Sequence, residues 1–303
     1  MQDLSQEDIE VLRQGKDPRY DSYLSPHVYF MVYFLEGVYS AYLAWFLVYK
    51  SGFLPSKSNI LDIGAGSGAM LYGMNSFLKS IVEFSYLPQR FAGVSSGDSR
   101  AQAQIQISYC SLELRSSLQH HGLEFWKQYI EAQQTTVVNT YFRFNTMDLF
   151  TYCSNSSGSR NLPDNFFDFI VISHCIFADK TQRARCHQAF KKIFSDSLKD
   201  NGFVIVVVQG RRLFQAYGRY QSENQAQEER LIKEFTDEIG LQMEWYKYLT
   251  STGQRKPMGQ NFARIAREKD LPIRNHMNEL IYNYLNKKHE YYVLDDYVIL
   301  AKK

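Results

Sequence analysis

One stretch of the chain, residues 59–70, limits the possible folds more than any other. It reads Asn-Ile-Leu-Asp-Ile-Gly-Ala-Gly-Ser-Gly-Ala-Met. The apolar run at its start is typical of a strand that is buried on both faces. Glycines then follow at alternate positions, and apolar residues at helical spacing begin at Met70. A strand, a glycine turn and a helix in this order bring backbone amides and a helix N-terminus close to a ligand, so the stretch predicts a ligand-binding turn.

Two classes of ligand use such a turn. Gly64, Gly66 and Ala69 satisfy the loose dinucleotide pattern G-x-G-x-x-G/A. The more specific feature is Asp62, two positions before the first glycine, which gives Asp-Ile-Gly-Ala-Gly-Ser-Gly. This resembles the first motif, D/E-x-G-x-G-x-G, of class I S-adenosylmethionine (SAM)-dependent methyltransferases. A carboxylate attracts a ligand that carries a sulfonium and an ammonium group but repels a pyrophosphate, so the residues favour SAM.

The resemblance implies where the cofactor lies on the turn. In that family the acidic residue faces the methionine end of SAM, and the glycines lie beneath the cofactor. The residues of this chain that match are Asp62, Gly64, Ala65, Gly66, Ser67 and Gly68. The alternative is a glycine turn that holds no ligand.

The second motif of the family departs from the usual pattern in this chain. Residues 90–95 read as the second strand, which in the family commonly ends in an acid that binds the two ribose hydroxyls. Ser95 or Ser96 stands at the expected position, and the nearest acid is Asp98. We predict that Asp98 reaches the ribose from a longer loop. The alternatives are that serine and water replace the carboxylate, that the turn serves another ligand, or that Asp98 caps a helix at 99–118.

A third strand is predicted at 140–150, and an acid lies at its end. This resembles the third motif of the family, in which the acid bonds the adenine amino group and the next residue's backbone meets the ring. The matching residues are Asp148 and Leu149. The alternative for Asp148 is a solvated acid at a strand end.

A fourth strand is predicted at 167–173, where Phe-Asp-Phe-Ile-Val-Ile-Ser resembles the family's fourth motif. Its end, Ser173 followed by His174, should lie at the carboxyl edge of the sheet, where open α/β folds bind ligands. His174 is the candidate general base, provided that the substrate proton comes within about 3 Å. A structural histidine bonded to backbone is the alternative.

The order of elements predicts the fold. We expect an α/β, Rossmann-like sheet of seven strands, mostly parallel, whose last strand returns antiparallel as in the methyltransferase family. Residues 1–50 are predicted to form an N-terminal helical cap or lid, and residues 51–303 the methyltransferase domain. Helices at 99–118 and 123–133 exceed the one helix expected between the second and third strands, which predicts an insertion at about 119–139. A second insertion is predicted at about 251–289.

The segment 28–49 is long enough to span a membrane. However, Glu36 lies near its middle, which costs about 2.5–3.5 kcal/mol on insertion scales, and its tyrosines do not gather at the ends. We read soluble helices, no signal peptide, no membrane partner and a cytoplasmic protein. Whether the helices form a lid or a plain packing layer stays open. Tyr20, Tyr23 and Tyr29 lie where a lid could place ring faces against a sulfonium.

Composition excludes some functions. A net charge of +2 gives no global field that favours nucleic acid. The four cysteines have no CxxC or metal-type spacing, so no metal site is predicted. The loop 209–220 is basic and aromatic and could hold an anionic substrate or RNA, but three arginines are too few to predict a nucleic-acid surface.

The resemblance implies methyl transfer from SAM to an O, N or C nucleophile by in-line displacement. After Ser173 there is no Asn/Asp-Pro-Pro-Tyr/Phe, as in adenine and glutamine methyltransferases. There is also no Pro-Cys pair as in cytosine C5 enzymes, and no double-glutamate loop as in arginine methyltransferases. A small molecule or natural product is therefore the favoured substrate. A protein, peptide or RNA substrate, and a non-catalytic SAM-fold binding or assembly factor, are the alternatives; the oligomeric state is not predicted.

Overall fold

The computed structural model describes residues 25–91, 105–132, 138–146, 148–152, 162–222, 224–251, 262–268, 270, 279, 282–283 and 291–303. The strands are β1 (Lys57–Ile63), β2 (Ile105–Glu113), β3 (Val138–Thr146), β4 (Phe167–Ser173), β5 (Leu198–Gln209), β6 (Gln242–Thr250) and β7 (Asp295–Lys302). They form one sheet in the order β3-β2-β1-β4-β5-β7-β6.

Strands β1 to β5 pair in parallel, whereas β7 is antiparallel to both of its neighbours, β5 and β6. The predicted class, an α/β fold with a mostly parallel sheet and an antiparallel last strand, is confirmed. The order reverses between β1 and β4, so the carboxyl ends of these two strands lie side by side with connections that leave in opposite directions. Ligands of open α/β sheets bind at such a switch point.

The helices are α1 (Ser25–Tyr29), a π-helical turn (Phe30–Phe34), α2 (Leu35–Lys50), α3 (Ala69–Phe91), α4 (Ser116–Glu131), α5 (Leu149–Tyr152), α6 (Lys180–Ser197), α7 (Gly210–Ala216), α8 (Gln225–Glu238) and α9 (Phe262–Glu268). Apolar residues of α2, α3 and α4 cover one face of the sheet, and those of α6, α7 and α8 cover the other. Because both faces are buried, the apolar residues of the central strands come in short unbroken runs, at 169–172 in β4 and 203–208 in β5.

Helix α2 forms part of a packing layer. Ala41, Ala44, Trp45 and Val48 are fully buried, and the Trp45 ring meets the edge of Phe169 of β4 at 5.5 Å between centroids. Helix α2 is therefore part of a packing layer and not of a lid. Helix α1 precedes it and ends at Tyr29, which lies near the glycine turn. No helix in the described part of the chain combines the length and hydropathy needed to cross a bilayer.

The prediction of the second strand was wrong. Arg90 and Phe91 belong to α3, and the second strand of the sheet is β2 at Ile105–Glu113, within the residues predicted as a helix. Ser95 and Asp98 lie outside the described residues. The helical reading arose because β2 is buried on both faces, so its apolar residues also fit a helical spacing by chance.

Because β2 lies later in the chain than predicted, the residues that follow it also have a different interpretation. Helix α4 is the described helix between β2 and β3, which is the ordinary crossover of a parallel pair. The reason for predicting an insertion at 119–139 therefore no longer holds. Of the insertion predicted at 251–289, the structure describes α9 and a few other residues, and this insertion stays a prediction.

Candidate functional site

The glycine turn follows β1 directly and is held by the end of β2. The amides of Gly64 and Ala65 both donate to the carbonyl of Leu112, at 2.8 and 3.2 Å. Gly64 has φ of 70°, and a Cβ on it would lie 2.8 Å from Sγ of Cys175. A side chain is thus excluded at Gly64 both by backbone conformation and by close contact. Helix α3 begins at Ala69, so the predicted order of strand, turn and helix is present.

Asp62 lies at the base of this turn and is fully buried. The Tyr109 hydroxyl of β2 donates a hydrogen bond to its Oδ2, and Oδ1 has no hydrogen-bond partner among the described residues. Burial raises the pKa of Asp62 to about 7; the bond from Tyr109 opposes this rise and the charge of Glu113 adds to it. A buried carboxylate with one oxygen unused is costly, and a cationic ligand would compensate it.

Glu113 is the site residue that the sequence analysis missed. It ends β2, and its carboxylate accepts from the Gly66 amide at Oε2 and from the Arg115 amide at Oε1, each at 2.9 Å. The acid at the end of the second strand therefore exists, but β2 had been placed elsewhere. A signal was available, since Ile105, Ile107 and Tyr109 alternate with polar residues, which is the period of a strand.

At the end of β4, Cys175 rather than His174 reaches the glycine turn. His174 has φ of 53°, and its backbone amide donates to the carbonyl of Val207 at 2.8 Å. This conformation turns the chain so that the Cys175 side chain packs against Gly64. Burial, together with the charges of Glu113 and Asp62, raises the pKa of the Cys175 thiol to about 12, so the thiol is neutral near neutral pH. Ser173, the last residue of β4, and the His174 side chain are half-buried at this edge.

Asp148 lies just after β3, which ends at Thr146 rather than at 150 as predicted. Its Oδ1 accepts from the Phe150 amide at 2.8 Å, so Asp148 caps the short helix α5, and Leu149 is the first residue of that helix. Both residues are half-buried at the carboxyl edge of the sheet. Their contact with adenine stays a prediction.

The N-terminal segment covers the turn through Tyr29. The Tyr29 hydroxyl lies 3.4 Å from the place that a Cβ on Gly66 would occupy. Burial raises the pKa of Tyr29, and the charges of Glu113 and then Asp62 raise it further, which places this phenol beside both carboxylates. Tyr20 and Tyr23, the other two predicted lid tyrosines, lie outside the described residues.

Aromatic contacts fix α1 and the π-helical turn against α4. The Phe30 ring stacks on Phe34 at 4.1 Å and meets the edge of Phe125 at 4.8 Å. The rings of His27 and His121 are 4.4 Å apart. The segment that carries Tyr29 is therefore held in place by packing, on the side of the turn where α4 lies.

A small cavity lies between the glycine turn and α4. Its lining includes Gly66, Ser67, Tyr72, Tyr109, Ser111 and Trp126. The Ser67 hydroxyl is buried and has no hydrogen-bond partner within the described part of the chain. Two buried polar atoms of the turn, Ser67 Oγ and Asp62 Oδ1, thus have no hydrogen-bond partner among the described residues. Aromatic side chains, including Tyr109, lie beside them.

A second acidic group lies at the same edge of the sheet, where β7 begins. Oδ1 of Asp295 accepts from Nε2 of Gln221 at 2.9 Å and from the Tyr248 hydroxyl at 2.6 Å. Oδ2 of Asp296 accepts from the Ser40 hydroxyl of α2 at 2.8 Å. Among the described residues, no group of three or more His, Cys, Asp or Glu side chains is arranged to hold a metal ion.

The basic loop is engaged by the protein itself. Arg219 pairs with Glu234 of α8 at 2.7 Å, and Arg212 is half-buried. The Tyr217 hydroxyl donates to Glu238, and the Arg183 guanidinium lies over the Tyr217 ring at 5.0 Å. These contacts connect α6, α7 and α8, whereas Arg211 and Tyr220 of this loop are exposed.

No family model and no curated protein matches the sequence. Solved structures do resemble it. One is a SAM-dependent methyltransferase from Aquifex aeolicus, with 11% identity over 67% of this chain and 81% of that chain, at a TM-score of 0.39. Another is the plantazolicin methyltransferase BpumL in complex with SAH, with 15% identity over 89% and 84%, at a TM-score of 0.39. A TehB-like SAM-dependent methyltransferase from Corynebacterium glutamicum has 11% identity over 88% of each chain, at a TM-score of 0.37. Likenesses this distant carry no weight for the function, which has to follow from the residues of the site.

Proposed function

We propose that the protein binds SAM at the glycine turn and transfers its methyl group to a small molecule. The observation that carries this proposal is the fully buried Asp62, whose Oδ1 has no hydrogen-bond partner among the described residues, at the base of a turn that also meets Glu113. Two carboxylates in a largely desolvated place favour a ligand that brings positive charge. A sulfonium with an ammonium group meets that requirement.

The same residues argue against a dinucleotide. A pyrophosphate at a glycine turn is bound by backbone amides and the helix N-terminus. Here the Gly66 amide already donates to the Glu113 carboxylate. A pyrophosphate would have to displace that carboxylate and would remain close to the negative charge of Asp62.

The resemblance to class I methyltransferases suggests the part played by each residue. Asp62 would face the methionine ammonium, and Glu113, instead of Asp98, would accept hydrogen bonds from the ribose hydroxyls. A carboxylate oxygen accepts more than one hydrogen bond, so Glu113 can keep its two backbone donors. Asp148 and the backbone of Leu149 would meet the adenine.

The cofactor would supply an electrophilic methyl group, and the protein would orient the nucleophile toward it and exclude water. Tyr29 is the aromatic side chain placed to face the sulfonium, an interaction worth about 0.5–2 kcal/mol. The His174 imidazole, at the end of β4, is the proposed acceptor of the substrate's proton. His174→Gly tests this role, because glycine adopts the positive φ of this position without an imidazole. We expect turnover to fall with unchanged SAM affinity; wild-type turnover would remove His174 from the mechanism.

A small-molecule substrate is supported by the enclosure of the turn. Tyr29 lies over Gly66, Cys175 packs against Gly64, and α4 lies on one side of the turn. A protein or peptide substrate would need an open path to the turn.

Isothermal titration of the full chain with SAM, SAH and NAD tests the proposal. We expect micromolar binding of SAM and SAH and none of NAD. Binding of NAD, or of none of the three, would overturn it. A tritiated-methyl assay on cell extract, separated into small-molecule, RNA and protein fractions, would then identify the substrate class.

A non-catalytic binding or assembly factor is the second candidate, and one observation favours it. Cys175 and Tyr29 pack directly onto the turn, and Glu113 holds the Gly66 amide, so protein atoms fill part of the space that a cofactor needs. For such a factor we expect no SAM binding, or binding without methyl transfer to any of the three fractions.

A further inference from the structure

The contact between Asp62 and Tyr109 joins two buried side chains on neighbouring strands. Asp62 of β1 is fully buried, and Tyr109 of β2 is 1% exposed. In the parallel register Tyr109 stands opposite Ile60, and its hydroxyl reaches along the sheet to Oδ2 of Asp62. Tyr109 also lines the cavity beside the glycine turn. The tyrosine therefore contacts both the carboxylate and the space that a ligand would enter.

No cation compensates Asp62 within the described structure. The titratable groups that act on it are Tyr109 and Glu113 of β2, Cys175 after β4 and Tyr29 of α1. Each of these groups is either neutral or negative. Burial raises the pKa of Asp62 to about 7, and the Tyr109 hydrogen bond works in the opposite direction. Near neutral pH, the ligand-free site is therefore a mixture of protonated and ionised carboxyl.

We propose that Tyr109 is a positioning residue of this site: its hydroxyl holds Oδ2 of Asp62, leaves Oδ1 to the cation of the cofactor, and reduces the number of protons that Asp62 releases to solvent when the cofactor binds. This inference rests on the proposed function, because it takes SAM as the ligand. When the cationic ligand binds, the proton of the Asp62 carboxyl passes to solvent, and no other covalent bond forms or breaks. Tyr109 keeps its own proton, since burial and the neighbouring carboxylate raise its pKa well above the usual value.

The test is calorimetric titration with SAH in buffers of different ionisation enthalpy, which counts protons released per ligand bound. For the wild type we expect about half a proton at about pH 7, falling toward none at about pH 9. Asp62→Asn should release none. Tyr109→Phe removes the bond that favours the ionised form, so release at about pH 7 should rise toward one proton and affinity should fall about fivefold, recovering at about pH 9.

Tyr72→Phe is the matched control. Tyr72 lines the same cavity and is buried, but its hydroxyl donates to the carbonyl of Gly122 at 3.0 Å rather than to Asp62. This variant should keep the proton count and the pH profile of the wild type. If Tyr109→Phe behaves like Tyr72→Phe, Tyr109 has only a structural role and the inference is overturned.

The remaining outcomes separate this inference from the proposed function. Wild-type binding whose enthalpy does not depend on the buffer would overturn the inference and leave the SAM site standing. Absence of binding by the wild type would overturn both. If Tyr109→Phe does not fold, Tyr109→Met, which also removes the hydroxyl but has a flexible apolar side chain, takes its place, and a wild-type proton count in that variant would overturn the inference.

Discussion

Two acidic groups lie at the same edge of the sheet, and they differ in how their oxygens are used. At the glycine turn, Oδ1 of the buried Asp62 has no hydrogen-bond partner within the described residues. At the start of β7, Asp295 receives hydrogen bonds from Gln221 and Tyr248 on one oxygen, and Asp296 receives one from Ser40. Asp62 therefore has fewer of its hydrogen-bonding oxygens paired than the Asp295 and Asp296 group, although all three side chains are more than nine-tenths buried.

The difference indicates what each group is for. A buried carboxylate with side-chain donors stabilises the fold, because its donors would be left unpaired without it. A buried carboxylate that lacks donors destabilises the empty protein and gains when a cation arrives. By this reasoning, Asp295 and Asp296 hold β7 against its neighbours, whereas Asp62 is the carboxylate that we propose binds a ligand.

The largest expected effect is that of Asp62→Asn on SAM affinity. The change removes the charge with little change in shape, so affinity should fall about 10- to 100-fold, corresponding to about 1.5–3 kcal/mol. The free energy of unfolding of the empty protein at about pH 7 should not fall, because asparagine carries no charge to bury. Calorimetric titration and denaturant unfolding measure the two quantities. Unchanged affinity would refute the site assignment.

Asp295→Ala should show the opposite pattern. The variant leaves Gln221 and Tyr248 without their acceptor, so the free energy of unfolding should fall by about 1–3 kcal/mol. SAM affinity should stay within about twofold of the wild type, which corresponds to less than about 0.5 kcal/mol of binding free energy. Urea denaturation and the same titration provide the measurements. A large loss of SAM affinity in a folded Asp295→Ala variant would mean that the two acidic groups do not differ in function as proposed.

Glu113→Gln should have an intermediate effect on binding. In glutamine an NH2 group replaces one of the two oxygens that accept from the amides of Gly66 and Arg115, so one of these amides faces a donor, and the charge is lost as well. We expect SAM affinity to fall about tenfold, consistent with the loss of about one charged hydrogen bond. Titration with adenosine gives the control: the loss should persist there if Glu113 meets the ribose, and should vanish if Glu113 only senses the charge of SAM.

The last expected effect is on the pH dependence of stability rather than on binding. Because the folded protein raises the pKa of Asp62 from 3.8 to about 7, the folded state holds a proton that the unfolded state releases earlier. The stability of the empty wild type should therefore fall as pH rises from about 4 to about 7, relative to Asp62→Asn.

Thermal denaturation of wild type and Asp62→Asn at several pH values measures this difference. The Tm of the variant should gain on that of the wild type as pH rises. Burial also raises the pKa of Asp295, but this contribution is common to both proteins and cancels in the comparison. A Tm difference that does not change with pH would mean that Asp62 is ionised throughout.

Much of the fold followed from local patterns. The glycine turn, β4 and the late strands were readable because glycine spacing and short apolar runs are local signals. Strand β2 was not, since Ile107, Cys110 and Leu118 fit a helical spacing although the first two lie in a strand. Its misplacement removed Glu113 from the predicted site and suggested an insertion where α4 is the ordinary crossover.

Two other site residues depended on contacts far apart in the chain. Cys175 reaches Gly64 because β1 and β4 are neighbours in the sheet and His174 adopts a positive φ. Tyr29 was one of three tyrosines proposed for a lid, and its position over Gly66 results from the packing of Phe30 and Phe34 against α4. Neither contact has a signature within a few residues of sequence.

The sequence by itself determined the shape of the glycine turn, because absent side chains and positive φ values are local properties of the chain. The tertiary structure alone decided which groups meet that turn. Parallel strands are joined by long crossovers, so their register, which brings Leu112 and Glu113 to Gly64 and Gly66, is set by the packing of the whole sheet. That register also brings the Tyr109 hydroxyl to one oxygen of Asp62, while the other oxygen has no donor among the described residues.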